Sequence, residues 1–231
     1  KSEENIKRNL LKIFIFYSIL SLIYFTLLNI SGVRLFNSLN LTMTLVSNGG
    51  FLPSDNLNEI IITNFQKIIL ILILILSMLN FYLLFNIFNK RAIINYHKED
   101  FYLITFAVLF ILIIYFNNFE GLNIIISVLS SLTNSGITLF EKSNNLSLYF
   151  LLLTIVGGSL ISNTSGIKLT RFYILLKITA AEIIKLISPN SVINKTIFNS
   201  ENKINQDNVK ISFLIFISFF FSLFILSSFL I

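Results

Sequence analysis

The chain contains no cysteine and a single histidine, His97, which argues against a disulfide framework, a thiolate metal site, a His-rich cluster and a cysteine nucleophile. Charge is scarce as well. Only 12% of the 231 residues are charged, against 55% hydrophobic, and the mean hydropathy of +0.84 exceeds what a soluble core and its solvated surface need. This is the composition of an integral membrane protein. The net charge of +6 does not suggest nucleic acid, because the basic residues sit beside apolar spans and form no basic face with aromatic platforms. No acid or histidine falls within an apolar run to activate Ser159 or Ser162, so an intramembrane enzyme is not expected either.

Long apolar runs are what the sequence has. Five stand out, at 10–28, 68–88, 101–116, 146–176 and 211–231. All but the third reach the roughly 20 residues that cross a bilayer as a helix, and the third can borrow the Glu99-Asp100 flank and residues 115–119. Residues 34–46 and 121–132 are only mildly apolar and dotted with Ser, Thr and Asn. At 1.5 Å per residue they span about 18 to 20 Å, too short to cross, and read as re-entrant half-helices. The first run lacks a small-residue cleavage site and is not read as a signal peptide. A chain that opens at Lys1 without an initiator Met and closes at Ile231 inside an apolar run is expected to be a fragment at both ends.

A shift of 86 residues superposes Asn37 on Asn123, Asn48 on Asn134 and Gly50 on Gly136, and carries residues 67–88 onto 153–174. The unit of helix, half-helix, glycine loop and helix therefore occurs twice. The expected organisation is an all-α polytopic membrane protein with one unit at 1–90, a second at 91–187, a cytoplasmic linker at 188–208 and the first helix of a further unit at 209–231. If each unit starts and ends inside, all of the 17 basic residues except Arg34, Lys67 and Lys142 fall on the inner side, a positive-inside pattern that puts both half-helix loops outside. Those three cations face Asp55, Glu59, Glu120 and Glu141, which leaves the outer side slightly acidic and mildly favourable to cations.

A half-helix that stops at mid-membrane leaves its last carbonyls unpaired, which is tolerable only where they line a water-filled path. Its dipole then favours a cation there. The residues that follow, Ser47, Asn48, Gly49, Gly50 and Phe51 in one unit and Thr133, Asn134, Ser135, Gly136 and Ile137 in the other, are small and polar and close on glycine. Glycine permits the torsions that aim successive carbonyls inward to replace an ion's hydration shell, although a plain turn would use the same residues. In the fourth run, Gly157, Gly158, Ser159, Leu160, Ile161, Ser162, Asn163, Thr164, Ser165 and Gly166 interrupt the apolar pattern before Lys168 and Arg171. Either an unwound helix lining a cavity or a close helix-packing face of small residues accounts for this composition.

These residues resemble the Trk/Ktr/HKT superfamily of potassium transporters, most closely its bacterial TrkH branch. Residues 47–51 resemble the family's second filter strand, close to G-G-F, and residues 133–137 its third, close to T-T-A-G-F. The tract from Gly157 to Arg171 is similar to the signature G-G-x-x-G-S-T-x-G-G-I-K-x-x-R, Ser188-Pro189-Asn190-Ser191-Val192 to the H-P-N-A-V that follows it, and Asn80 falls at a family-like position. Leu160, Ile161 and Ser165 depart from a loop that is richer in Ala and Gly in the family, and Ile137 replaces an aromatic.

The resemblance implies potassium or sodium uptake across the cytoplasmic membrane of a bacterium. The filter would be built from the backbone carbonyls of Ser47, Asn48, Gly49, Gly50, Thr133, Asn134, Ser135 and Gly136. The gate loop would comprise Gly157, Gly158, Ser162, Asn163, Thr164, Ser165 and Gly166, with Lys168 either a positive barrier or a snorkelling side chain. It implies no bound cofactor beyond the transported K+ or Na+, a homodimer in the lipid bilayer, and a cytosolic nucleotide-binding regulatory subunit. A secondary transporter of a small solute and a non-conducting relative are the alternatives.

Overall fold

In the computed structural model, residues 2–54, 57–81, 83, 98–116, 121–139, 147–189, 191, 196–198 and 204–229 are described. Lys1, Asp55, Lys90, Arg91, His97, Glu120, Glu141, Lys142, Asn190, Val192, Lys195 and Lys203, which the charge and motif arguments use, lie outside them. Among the described residues the elements are α1 (Ser2–Ile30), α2 (Leu35–Ser47), a 3-10 turn (Leu57–Glu59), α3 (Asn64–Met78), α4 (Lys98–Tyr115), α5 (Gly121–Thr133), α6 (Ser147–Val156), α7 (Leu169–Ile187) and α8 (Gln206–Phe229).

α1 is apolar on all sides, and only one of its stripes is packed inside the protein. Leu20, Tyr24 and Leu28 recur every four residues and are buried, while Phe14, Leu22 and Ile30 on its other faces are exposed. The outer surface of α8 is also apolar, with Phe213, Leu214, Phe221 and Phe224 exposed. Residues 13–30 and 206–225 are each long and apolar enough to cross a membrane. The half-helices α2 and α5 have 13 residues each, about 20 Å of rise.

The main packing joins the two units. α3 lies along α5, with Leu70, Ile73 and Leu74 of the former and Ile124, Val128 and Leu132 of the latter inaccessible. Where lipid surrounds a protein, close packing and dispersion hold such a contact, since apolar side chains gain little by leaving apolar tails. α1 and α2 pack together and against α3, and α4 and α6 pack against α5. Buried hydroxyls on the half-helices bond within their own helix: Thr42 donates to the Ser38 carbonyl at 2.6 Å and Ser131 to that of Ser127 at 2.8 Å.

A capping box starts α3. The Thr63 hydroxyl accepts from the Gln66 N–H at 3.3 Å, and the Gln66 side-chain oxygen accepts from the Ile62 and Thr63 N–H groups at 2.8 and 3.1 Å. Thr63→Ala is expected to cost about 1 kcal/mol, read as a lowered thermal transition of the purified protein. An unchanged transition would mean that Gln66 alone suffices to cap the helix.

Two features differ from the sequence expectation. The apolar run 68–88 is not one helix, because α3 ends at Met78 and Leu79 is extended (φ −76°, ψ 160°). Part of the expected linker also folds back onto the helices. Phe198 is buried and stacks on Tyr173 and Tyr102 at 4.4 and 5.0 Å between ring centroids, and the Thr196 carbonyl accepts from the Lys177 ammonium at 2.6 Å.

Candidate functional site

Both half-helices end in the same way. Asn48 and Asn134, the first residues beyond α2 and α5, take left-handed torsions with φ 52° and 58°, which asparagine tolerates better than most residues. One residue on, the Gly49 N–H donates to the Thr44 carbonyl and the Ser135 N–H to that of Ser130, each at 3.1 Å. This six-to-one bond is the Schellman closure of a helix C-terminus. Gly50 and Gly136 then turn the chain a second time at φ 73° and 67°. All three pairs are related by the 86-residue shift read from the sequence.

The two strands also meet. A Cβ on Gly50 would lie 2.8 Å from the Ser135 carbonyl oxygen, whereas one on Gly136 would touch nothing within 4 Å. Thr133 and Ser135 are buried and share a hydroxyl hydrogen bond of 3.1 Å. The Asn134 amide donates to the Thr154 carbonyl of α6 at 3.1 Å, while that of Asn48 is enclosed without a partner among the described residues. Phe51 is exposed, and Ile137 packs into the core.

Between α6 and α7, residues 157–168 form irregular backbone whose polar groups find partners within the loop and on the neighbouring helices. The Gly158 N–H donates to the Thr164 hydroxyl at 3.1 Å, the Ser159 N–H to the Met78 carbonyl at 3.2 Å, and the Leu160 N–H to the Glu99 carboxylate at 2.7 Å. The Ile161 carbonyl accepts from the Phe81 N–H at 2.9 Å, and the Ile167 N–H donates back to the Ile155 carbonyl at 3.0 Å. Gly157 and Gly166, at φ 71° and 90°, close the neck of this loop. A Cβ on Gly166 would come within 2.9 Å of the Thr154 carbonyl oxygen and 3.1 Å of the Gly157 Cα.

The loop reaches the first half-helix through Asn163. Its amide donates to the Val46 carbonyl at 2.7 Å, in the last turn of α2, and its side-chain oxygen accepts from the Tyr17 hydroxyl of α1. Lys168, itself at φ 78°, turns its ammonium into the loop. There it donates to the Thr164 carbonyl, to the Thr164 hydroxyl at 3.1 Å, and to the Ser162 carbonyl and hydroxyl at 3.3 Å each. Of the sequence-predicted gate residues, Gly157, Gly158, Ser162, Asn163, Thr164, Ser165, Gly166 and Lys168 thus lie in one irregular segment.

The flanking acids, which the sequence reading leaves at a helix end, are part of this packed region. Asp100 is 1% exposed, and its Oδ1 accepts from the Asn80 N–H at 2.9 Å. Glu99 is half-buried and accepts from both Leu160 and Thr170. The signal for Asp100 was present in the spacing, since it stands three and seven residues before the buried Leu103 and Ala107 on the stripe that continues to Phe110 and Ile114. Nothing local marks Glu99, Tyr17 or Thr170, whose partners are remote in sequence.

No family model matches the chain. The crystal structure of the potassium transporter TrkH from Vibrio parahaemolyticus superposes with a TM-score of 0.79 at 18% identity, over 90% of this chain and 47% of that one. The chain has the TrkH fold. It is also 30% identical over 192 residues, 80% of its length, to an uncharacterized cation transporter of Methanocaldococcus jannaschii, of which it covers 39%. The TrkH-like chain therefore spans less than half the length of either relative. That fold is the one of a polytopic membrane protein, and both of these proteins are named as transporters.

Proposed function

We propose that this chain contributes two ion-lining strands to a monovalent cation transporter, with potassium, or sodium, as the transported ion and the backbone carbonyls of residues 47–50 and 133–136 as its ligands. The observation that carries this reading is the repeated backbone geometry of the two strands. Each follows the negative end of a half-helix dipole, turns at a left-handed asparagine and again at a glycine, and the two strands touch at Gly50 and Ser135. Carbonyls presented after such turns suit a cation that exchanges its hydration shell for protein oxygen.

The loop 157–166 is the gate in this reading. Its tie to the Val46 carbonyl sets it one residue from the first strand, and the Lys168 ammonium, held by four loop oxygens, adds a fixed positive charge that opposes a passing cation. The units are 1–90 and 91–187, joined through 188–208 to a further helix. The setting proposed is the cytoplasmic membrane of a bacterium, as a homodimer working with a cytosolic nucleotide-binding regulatory subunit. A small-solute transporter is expected to offer charged or aromatic side chains to its substrate. Glu99 and Asp100 already serve backbone N–H groups, which favours the cation reading.

The test is flux through the full-length protein in liposomes. Potassium or sodium should pass, and a large organic cation should not. Lys168→Met should raise cation flux several-fold by removing both the charge and the loop's internal tie. Absence of any selective flux, with the protein folded and inserted, would overturn the proposal.

A further inference from the structure

The two broken helices are stitched to each other. The Ser159 N–H donates to the Met78 carbonyl, where α3 ends, and the Phe81 N–H donates to the Ile161 carbonyl, where the chain beyond that break resumes. Adjacent acids on α4 reach both breaks, Asp100 also facing the Ser159 side chain of the loop. Asp100 accepts from the N–H of Asn80 in the gap after α3. Glu99 accepts through the same oxygen from the Leu160 N–H, inside the loop, and from the Thr170 hydroxyl, beyond it on α7. One carboxylate thus bonds the loop and the helix that follows it, and fixes both to a third element.

We infer that Glu99 is a positioning residue, the latch that holds the loop 157–166 in its closed place, and that with Asp100 it makes the breaks in the two second helices a single movable piece. This rests on the gate reading above. An ionised carboxylate accepting two hydrogen bonds holds more strongly than neutral partners would, and both donors lie where the loop must part from α4 to move. Glu99→Gln keeps an oxygen acceptor at the same place without the charge and should preserve part of the latch. Glu99→Ala removes both bonds, and Thr170→Val removes one with little change of shape.

The readout is the reaction of a thiol in place of Ser159, a residue with no exposure, as the single cysteine of the intact protein. A buried thiol reacts in proportion to the open population. With hydrogen bonds to charged groups as strong as they commonly are, labelling should rise roughly tenfold in Thr170→Val and about a hundredfold in Glu99→Ala. In Glu99→Gln, which keeps the acceptor and loses the charge, the rise should fall clearly between the parent and Glu99→Ala. Parental labelling in Thr170→Val and in Glu99→Ala overturns the latch, and Thr170→Val decides alone if Glu99→Ala does not fold. Cation flux measured on the same variants separates the two proposals. Faster labelling with higher flux supports both, whereas faster labelling without higher flux keeps the latch and overturns the reading of this loop as the gate.

Discussion

Replacing Gly50 with alanine is expected to reduce selective cation uptake by the full-length protein by two orders of magnitude or more, while Gly136→Ala causes a smaller loss. Both glycines hold positive φ, 73° and 67°, where a Cβ costs about 1–2 kcal/mol. Only Gly50 adds a collision, since its Cβ would sit 2.8 Å from the Ser135 carbonyl oxygen, and a backbone atom of the neighbouring strand cannot swing aside as a side chain can. Relieving that contact must turn a carbonyl that the proposed filter uses. At roughly 1.4 kcal/mol for each factor of ten, strain alone at Gly136 corresponds to a loss of about tenfold, with strain and collision together at Gly50 well beyond that. Gly121→Ala is the control, because the nearest atom to its Cβ is on the Tyr115 ring at 3.9 Å and helical alanine is favourable. Uptake rate and the potassium-to-sodium ratio are the measurements. Equal effects at all three glycines would remove the filter assignment.

Gly157→Ala should be the most destabilising single substitution in the second unit. Gly157 has φ 71°, and its Cβ would fall on the Ser165 carbonyl oxygen and lie 3.3 Å from the Gly166 Cα. Backbone crowds it at the neck of the loop, so the two sides of the neck cannot both stay in place. Overpacking of this kind costs about 1–3 kcal/mol, to which left-handed strain adds about 1–2 kcal/mol. The thermal transition of the purified protein should fall by several degrees, and the loop should be cleaved faster by protease. A transition unchanged from the parent would show that the neck is not closed as described. Ser165→Ala, which keeps the backbone contact, should behave like the parent.

Half-helix length, the paired glycines and the interruption at 157–166 were legible because each is a local property of the chain. A stretch of 13 residues cannot span a bilayer, asparagine and glycine accept left-handed torsions, and a polar tract of small residues breaks an apolar run wherever it lies. The 86-residue shift carried this further, since two copies of one local pattern fold in one local way, down to the matched bonds from Gly49 to Thr44 and from Ser135 to Ser130. The resemblance to a transporter superfamily rested on those same tracts.

The stop in α3 was not legible. Asn80 and Asn86 within 68–88 still leave the run looking like one span, and the break exists because the Met78 carbonyl and the Phe81 N–H bond to Ser159 and Ile161 on the other unit's loop. The burial of Asp100, the double acceptance by Glu99, the tie from Asn163 to Val46 and the contact of Gly50 with Ser135 are of the same kind. Each joins residues tens to more than a hundred positions apart, so no periodicity or motif around either partner encodes it. The sequence by itself determined which segments are membrane helices, which stop short and where the backbone must turn. Only the tertiary structure decided which freed backbone groups meet, because in lipid an unpaired N–H or carbonyl is too costly to leave alone and must take whatever partner the packing of the helices brings to it.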